Sequence, residues 1–366
     1  MAARGHKPVL ALRDLLEPAA FLKDETYPIL QGVAWTRPPP TAAGKPFSAA
    51  TFADILAVGG FANAAELLAM LRACDSLIDV VKPDLVVAEY APMLALAAKG
   101  RLPSLMFGTG FTVPPADLPV YPRLQPNVEP TMLQEKVLAV IEQVQKARRA
   151  PVPATLPEAI ACDRRFPCTF PELDPYRAVR REAVIPPVTE LPPRSPAPGA
   201  PRFFAYLASD AQGIAKVVSA LTKSDVPGGI VLRQPSPQLR EMIAKSKVTL
   251  YDGPQPMAEM MKIATVVIHH GGMGTTEACL AAGRPQMTVP RHLEQSMTAR
   301  ALRDAGIGFT INKDMPEEKI IEGIRSFAAD KTLRERAASI SAAIESRGAR
   351  PGVAPIVDAC EEMLGR

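Results

Sequence analysis

Hydrophobic residues in the C-terminal half of the chain form short continuous runs separated by longer amphipathic stretches. Each short apolar run predicts a buried strand, and each stretch between two runs is long enough for a helix. The predicted strands are residues 203–208, 229–232, 248–250, 266–268, 286–289 and 308–311. Strands that alternate with helices form a doubly wound parallel sheet, so the predicted fold class is α/β. Helices at about 331–346 and 353–364 complete the pattern.

The N-terminal half shows the same kind of pattern with more interruptions. Asn63 is positioned to cap a helix whose apolar residues recur at i, i+3, i+4 and i+7 spacing as far as Val81. A strand then ends at Glu89. The remaining predictions are strands at 9–12, 28–30 and 104–107, an amphipathic helix at 132–144, and a proline-rich loop at 36–48.

The chain is long enough for two domains, because 366 residues exceed one ordinary core. Seven prolines between Pro186 and Pro201 predict an extended, semi-rigid linker. We therefore expect an N-terminal domain at 1–185, a linker at 186–201, a second domain at 202–350 and a final helix within 351–366.

Composition indicates a soluble globular protein, with 47% hydrophobic and 22% charged residues. No apolar run approaches the roughly 18 residues of a membrane span, and the N-terminus has no signal-peptide pattern. The five cysteines are scattered and form no C-x-x-C pair, which is typical of reduced thiols. The expected location is the cytoplasm.

The net charge of +4 is modest, but arginines cluster at 148–149, 164–165 and 177–181. The favoured interpretation is a solvated basic face, and peripheral contact with an anionic lipid surface is the alternative. No nucleic-acid-binding motif accompanies these charges, so no nucleic acid partner is expected.

A glycine turn between a predicted strand and a predicted helix carries the candidate chemistry. The segment His269-His270-Gly271-Gly272-Met273-Gly274-Thr275 follows the strand 266–268, and we expect the helix to begin at about Thr276 and to end at Gly283. Glycines let the main chain approach a ligand, and the free N–H groups at a helix N-terminus favour negative charge. This arrangement is typical of a phosphate-binding site.

Residues 252–295 resemble the nucleotide-sugar signature of family 1 glycosyltransferases, in the plant UDP-sugar form and in the bacterial H-G-G-x-G-T form. The matching residues stand in register without an insertion: Gln255, His270, Gly271, Gly272, Thr275, Gly283, Pro285, Pro290, Glu294 and Gln295. The resemblance implies the GT-B architecture, in which two Rossmann-like doubly wound domains face a cleft and the final helix crosses back to the first domain.

The resemblance also implies a role for each matching residue. His270 and the amides from Gly272 to Thr275, including Gly274, would bind the diphosphate. Gln255 would lie near the base and ribose. Glu294 and Gln295 would bind hydroxyls of the sugar, because an amide and a carboxylate offer several donors and acceptors. Ser209 follows the first strand of the domain, where the family places a small hydroxyl residue near the phosphates; a helix cap is an equal alternative.

Two departures from the family pattern leave the base and ribose contacts open. The plant signature begins with a tryptophan that stacks on the base, but this chain has Asp252 there, with Tyr251 beside it. Many members have a ribose-binding glutamate where this chain has Ala278. Glu277 is one residue earlier and, at a helical step of about 100°, need not face the site.

The family's catalytic histidine lies in the first loop of the N-terminal domain. In bacterial members a pattern like residues 3–15 follows the first strand and helix, so we expect this chain to lack the opening strand, the loop after it and most of the first helix, roughly 25–30 residues in all. Gly5-His6 before Pro8 imitates the catalytic loop, yet the strand after it favours an exposed histidine at a helix end. Glu89 matches the acidic residue that orients the histidine, although a surface carboxylate is an equal alternative.

The implied function is inverting, hexosyltransferase-type transfer of a sugar from a UDP- or TDP-linked donor to a hydroxyl of a small-molecule or lipid acceptor. The chain contains no D-x-D, so neither a metal nor a resident cofactor is expected. A metal site of His269, His270 and His292 is disfavoured, because no acidic or cysteine partner has suitable spacing.

Two other functions stay open from the sequence. The first is a non-catalytic nucleotide-sugar-binding or auxiliary protein, which would retain 252–295 without the base. The second, an epimerase of similar architecture, is disfavoured because its site needs several acidic groups. We expect the chain to bind nucleotide diphosphates and to transfer sugar poorly or not at all. Neither the acceptor nor the oligomeric state is indicated by the sequence.

Overall fold

The computed structural model describes residues 1–16, 22–24, 26–35, 47–348 and 352–365. Most of the predicted proline-rich loop, residues 36–46, lies outside them. The strands are β1 Leu10–Leu12, β2 Ile29–Gln31, β3 Val86–Glu89, β4 Ser104–Gly108, β5 Arg164–Pro167, β6 Phe203–Ala208, β7 Gly228–Arg233, β8 Thr249–Tyr251, β9 Val266–His269, β10 Gln286–Thr288 and β11 Gly308–Thr310.

The α-helices of the described residues alternate with these strands over most of the chain. They are α1 Phe52–Leu56, α2 Ala64–Val81, α3 Pro92–Ala98, α4 Gln134–Arg148, α5 Leu156–Ala159, α6 Ile214–Lys223, α7 Pro237–Ala244, α8 Met257–Ile263, α9 Met273–Ala282, α10 Leu293–Asp304, α11 Glu317–Ala329, α12 Lys331–Ser346 and α13 Val353–Met363. Short 3-10 turns lie at Ala2–Arg4 and Pro171–Leu173, and a π-helical turn lies at Ala57–Phe61.

Two compact units make up the structure. The first contains Met1–Pro167, Ala178–Ala183 and Val353–Arg366, and the second contains Cys168–Arg177 and Val184–Gly352. The helix α13 therefore belongs to the first unit. The sequence predicts a boundary at 186–201, whereas the structure adds the earlier segment Cys168–Arg177 to the second unit. Its Phe170 and Leu173 are buried in a hydrophobic cluster with α9, α10 and α12.

The first unit contains two parallel β-structures, the pair β1–β2 and the sheet β3–β4–β5. The cap predicted for α2 is confirmed, because Asn63 Oδ1 accepts the N–H groups of Ala65 and Glu66 at 3.0 and 3.1 Å. The predicted strand that ends at Glu89 is also confirmed as β3. The strand β5 was not predicted, because Arg164 and Arg165 were interpreted as part of a basic cluster.

The second unit has the predicted doubly wound parallel sheet, with strand order β11-β10-β9-β6-β7-β8. Successive residues of a strand point to opposite faces. In β6, Ala205 and Leu207 belong to one hydrophobic cluster, while Phe204 and Tyr206 belong to or pack against a different cluster. Both faces of the sheet are therefore covered. After β8 the chain returns to the opposite side of β6 and forms β9, so the strand order reverses between β6 and β9, where open α/β sheets bind ligands.

For the described residues, the sequence predicts reduced cysteines and no membrane span. All five cysteines are free thiols and buried. No single described helix is long and apolar enough to cross a membrane; the pair Phe52–Phe61 and Ala64–Val81, bent by 79°, reaches that length and composition only when both are counted together.

Candidate functional site

The glycine turn, residues 270–275, leaves the carboxyl end of β9 at the point where the strand order reverses. Gly271 has φ 87°, and an added Cβ would lie 3.1 Å from the carbonyl oxygen of Gln295, so a larger residue is excluded on both grounds. Gly272 is the N-cap of α9, which begins at Met273 and ends before Gly283 with φ 73°. The predicted C-cap is confirmed, but the predicted start at Thr276 is wrong by three residues. Thr276 instead lies inside the helix and donates to the carbonyl oxygen of Gly272.

His269, the last residue of β9, is a buried side chain with a defined tautomer. Its Nδ1 accepts the N–H of Gly271 at 3.0 Å, and its Nε2 lies 2.9 Å from Gln286 Oε1. Since Nδ1 is an acceptor, Nε2 carries the proton and donates it. Burial lowers the pKa of His269 to about 4, so the ring is neutral and supports the turn from inside the unit.

His270 has the opposite tautomer. Its Nε2 accepts the N–H of Ala208 at 2.8 Å, and its Nδ1 donates to the carbonyl oxygen of Val289 at 2.8 Å. Burial also lowers the pKa of this ring. The imidazole thereby joins the ends of β6 and β10. A direct hydrogen bond to a phosphate, as the sequence predicts, requires one of these two bonds to open.

A second link joins the same two segments of main chain. The guanidinium of Arg291 donates to Asp210 at 2.8 Å. The main-chain N–H of Arg291 donates to Gln295 Oε1 at 2.8 Å, so this predicted sugar-binding residue also holds the loop after β10. The hydroxyl of Ser209 donates to the carbonyl oxygen of Gln234 at 2.6 Å. Ser209 therefore lies near the site but has its proton committed to the main chain.

The residues predicted near the base lie after β8, farther along the carboxyl edge of the sheet. Gln255 Nε2 donates to the carbonyl oxygen of Gly253 at 3.0 Å, which keeps the amide in its own turn. The Tyr251 ring packs 6.3 Å from that of Phe204, and an added Cβ on Gly229 would lie 2.4 Å from its Cε2. Tyr251 is thus part of the packing of the sheet.

Glu294 and Glu277 differ in their surroundings. Glu294 is the second residue of α10 and is half-buried. Glu277, on α9, is 4% exposed, and burial raises its pKa to about 8, to which the charge of Glu294 also contributes. The buried carboxyl was not predicted, because the periodicity of α9 is apolar on nearly every face and gives no direction for position 277.

In the first unit, the two candidate catalytic residues have different environments. Glu89 lies at the end of β3, and partial burial of its carboxyl raises its pKa. His6 lies 3.2 Å from Glu361 on α13, beside ion pairs of Arg4 with Asp358 and Glu361. The partner of His6 is therefore a carboxylate of the final helix.

The basic clusters found in the sequence are engaged by acidic residues of the first unit. Arg148 pairs with Asp75 at 2.6 Å, and Arg164 pairs with Glu362 at 2.7 Å. Arg165 and Arg180 both contact Glu182. This pairing reduces the positive charge that these clusters offer to an anionic surface.

A cavity of about 1180 Å³ lies beside the Asp210–Arg291 pair in the second unit. Its apolar floor includes Val217, Phe309 and Ile320, and Lys313 lies at its edge. The described residues contain no group of three His, Cys, Asp or Glu side chains arranged to hold a metal.

The second unit is similar in sequence to a family of known proteins. Residues 216–363 match the family described as "Erythromycin biosynthesis protein CIII-like, C-terminal domain". The chain is 31% identical over 96 residues to glycosyltransferase GtfC of Amycolatopsis orientalis, which is 26% of this chain and 24% of GtfC. It is 23% identical over 147 residues to NDP-glycosyltransferase YjiC of Bacillus subtilis, covering 40% of this chain and 33% of YjiC. The matches thus span a third or less of these relatives.

The fold is similar over a much longer stretch. The structure superposes on the calicheamicin glycosyltransferase CalG4 with a TM-score of 0.69 and 21% identity, covering 100% of this chain and 92% of CalG4. The fold is therefore GT-B. The region that contains the glycine turn, residues 216–363, is similar in sequence to known glycosyltransferases, which agrees with the residues that stand in register with that turn.

Proposed function

We propose that this protein transfers a sugar from a UDP- or TDP-linked donor to a hydroxyl group of a small-molecule acceptor, with inversion at the anomeric carbon. The observation that carries the proposal is the glycine turn at the start of α9, where the strand order reverses between β6 and β9. The N–H groups of the first turn of a helix have no partner within the helix and attract an anion. A diphosphate is the anion that a nucleotide sugar presents.

In the proposed reaction, the acceptor oxygen attacks the anomeric carbon as the bond from that carbon to the diphosphate oxygen breaks. A base must take the proton of the acceptor hydroxyl, and Glu89 is the residue of this chain that matches the family's base-orienting carboxylate. The amides from Gly272 to Thr275 stabilise the negative charge that develops on the departing diphosphate. Glu294 and Gln295 hold the sugar hydroxyls, and Gln255 lies on the base side.

The experiment adds a negative charge at the start of α9 and uses alanine at the same position as the control. An added Cβ at Gly274 meets no protein atom within 4 Å, so Gly274→Ala tests the added carbon alone and Gly274→Asp adds a carboxylate at the same position. Calorimetry with UDP and TDP should show binding to the original protein and to Gly274→Ala, and a loss of at least about tenfold for Gly274→Asp, because its carboxylate repels the diphosphate. Equal affinity for the two variants would refute the diphosphate site.

A second candidate function is binding of a nucleotide sugar without transfer. It is favoured by the positions of the four histidines, since His6 pairs with Glu361 and the other three lie in the second unit. A transfer assay with a panel of acceptors, run beside calorimetry, separates the two functions. Turnover that Glu89→Gln lowers supports the transferase, whereas tight donor binding without turnover supports the second candidate.

A further inference from the structure

Two side-chain links join the segment after β6 to the segment after β10, at the edge of the proposed diphosphate site. One link is His270 itself, which joins Ala208 to Val289. The other is the ion pair of Asp210 and Arg291, each two residues farther along the same segments. The ion pair is therefore held near the glycine turn by the main chain on both sides.

The positive charge of Arg291 acts on this site in the structure. It contributes to the lowered pKa of both His270 and His292, while the charge of Asp210 opposes it at His270. The imidazole of His270 is neutral in its bonded tautomer, so Arg291 is a cation that can face an anion there. Its main-chain N–H is fixed by Gln295, which keeps the side chain anchored at this point.

Asp210 holds Arg291 only weakly. The side chain of Asp210 is 72% exposed and that of Arg291 is 38% exposed, and ion pairs with this much solvent contribute about 0–1 kcal/mol. A diphosphate carries more negative charge than one carboxylate, and guanidinium groups bind phosphate oxygens in a bidentate manner. An anion bound at the glycine turn would thus compete well for the guanidinium.

We propose that Arg291 is a further diphosphate-binding residue, and that Asp210 holds its guanidinium until the diphosphate takes it over. The inference rests on the proposed function, because it assumes a diphosphate at the glycine turn. No bond is made or broken in this exchange; one ion pair replaces another. Asp210 then acts as a competitor of the ligand, so its removal should strengthen binding.

The chain offers a matched control for this exchange. Arg325 and Asp225 form another ion pair of 2.8 Å in the second unit, with side chains 53% and 85% exposed. This pair joins α11 to the segment after α6 and contains no residue that lines the site. Calorimetry with inorganic pyrophosphate, UDP and TDP is run on Arg291→Gln, Asp210→Asn, the double variant, and Asp225→Asn.

Arg291→Gln should weaken binding of all three ligands by about 10- to 100-fold, the scale of a hydrogen bond to a charged group. Asp210→Asn should tighten binding by about two- to fivefold, because the exposed pair no longer competes. In the double variant the benefit of Asp210→Asn should disappear, and Asp225→Asn should bind as the original protein does. Added salt should weaken binding less in Arg291→Gln than in the original protein.

Weaker binding by Asp210→Asn would overturn the proposal, since the ion pair would then support the site without competing for the ligand. Unchanged binding by Arg291→Gln would overturn it as well. Both outcomes leave the proposed diphosphate site intact if Gly274→Asp still weakens binding by at least about tenfold while Gly274→Ala does not. If the original protein binds none of the three ligands, the proposed function fails and this inference fails with it.

Discussion

The guanidinium of Arg284 donates to both the carbonyl oxygen and the hydroxyl of Ser195, at 2.9 and 2.7 Å. Arg284 is 1% exposed, and its other donors reach the carbonyl oxygens of Met261, Ala282 and Pro196. Main-chain oxygens thus solvate a buried cation in the second unit. The predicted linker, residues 186–201, is therefore fixed to the second unit at residues 195–196.

Replacement of Arg284 by glutamine should therefore destabilise the second unit. Several buried carbonyl oxygens would lose their donors, and we expect the free energy of unfolding to fall by about 2–4 kcal/mol. Urea unfolding followed by circular dichroism measures this loss. The single tryptophan, Trp35, reports on the first unit and its fluorescence separates the two transitions. The exposed Arg240 supplies the control, since Arg240→Gln should change stability by less than about 0.5 kcal/mol.

The two neighbouring histidines should show opposite tautomers in nitrogen-15 spectra near pH 7. We expect the proton on Nε2 of His269 and on Nδ1 of His270, with His270→Gln used to assign the signals. Their pKa values are lowered, so the stability they contribute is present above about pH 6.5 and is lost for His269 as the pH falls through about 4. A proton on Nε2 of His270 would contradict the bond from Ala208.

Glu277 should make the protein less stable as the pH rises. Its pKa is raised from 4.5 to about 8, so stability is full below pH 4.5 and decreases until the pH passes about 8, by up to about 5 kcal/mol. Thermal unfolding of Glu277→Gln between pH 5 and 8 should show a smaller decrease. Glu259→Gln, which changes a 58% exposed carboxylate, should retain the original slope. An unchanged slope in Glu277→Gln would show that other groups cause it.

Glu294 and Gln295 should respond differently to truncation. Glu294→Ala should weaken binding of a nucleotide sugar by about tenfold and leave the bare nucleotide diphosphate nearly unchanged, because its role is assigned to the sugar. Gln295→Ala should weaken both ligands, because its Oε1 also holds the N–H of Arg291. Calorimetry with the two ligands measures the difference, with the exposed Arg300→Gln as control. Equal losses in Glu294→Ala would place that residue at the diphosphate.

The local features of the fold were accessible from the sequence. The strands of the second unit follow from apolar runs, and the caps at Asn63 and Gly283 follow from side-chain and backbone chemistry within a few residues. The glycine turn is also evident from the sequence, because its residues are consecutive in the chain. The predicted start of α9 is three residues too late, because Met273 and Gly274 resemble turn residues in the sequence, whereas the extended Gly272 already caps the helix.

Features that join distant parts of the chain were not accessible from the sequence. The bonds of His270 to Ala208 and Val289 depend on three strands meeting in space, and no local pattern specifies them. The same holds for Arg284, whose partners at Ser195 lie 89 positions away. The strand β5 was missed because its arginines carry charge, and only pairing with β4 makes it a strand.

The assignment of Cys168–Arg177 to the second unit has a practical consequence for dissecting this protein. A fragment that begins at the linker, at residue 186, leaves behind Phe170 and Leu173, which fill the hydrophobic cluster beneath α9, α10 and α12. The excised fragment would expose that cluster to water and be prone to aggregate. Supplying residues 168–177 as a separate peptide should restore its solubility, so the sequence order of this protein and its folding units do not coincide.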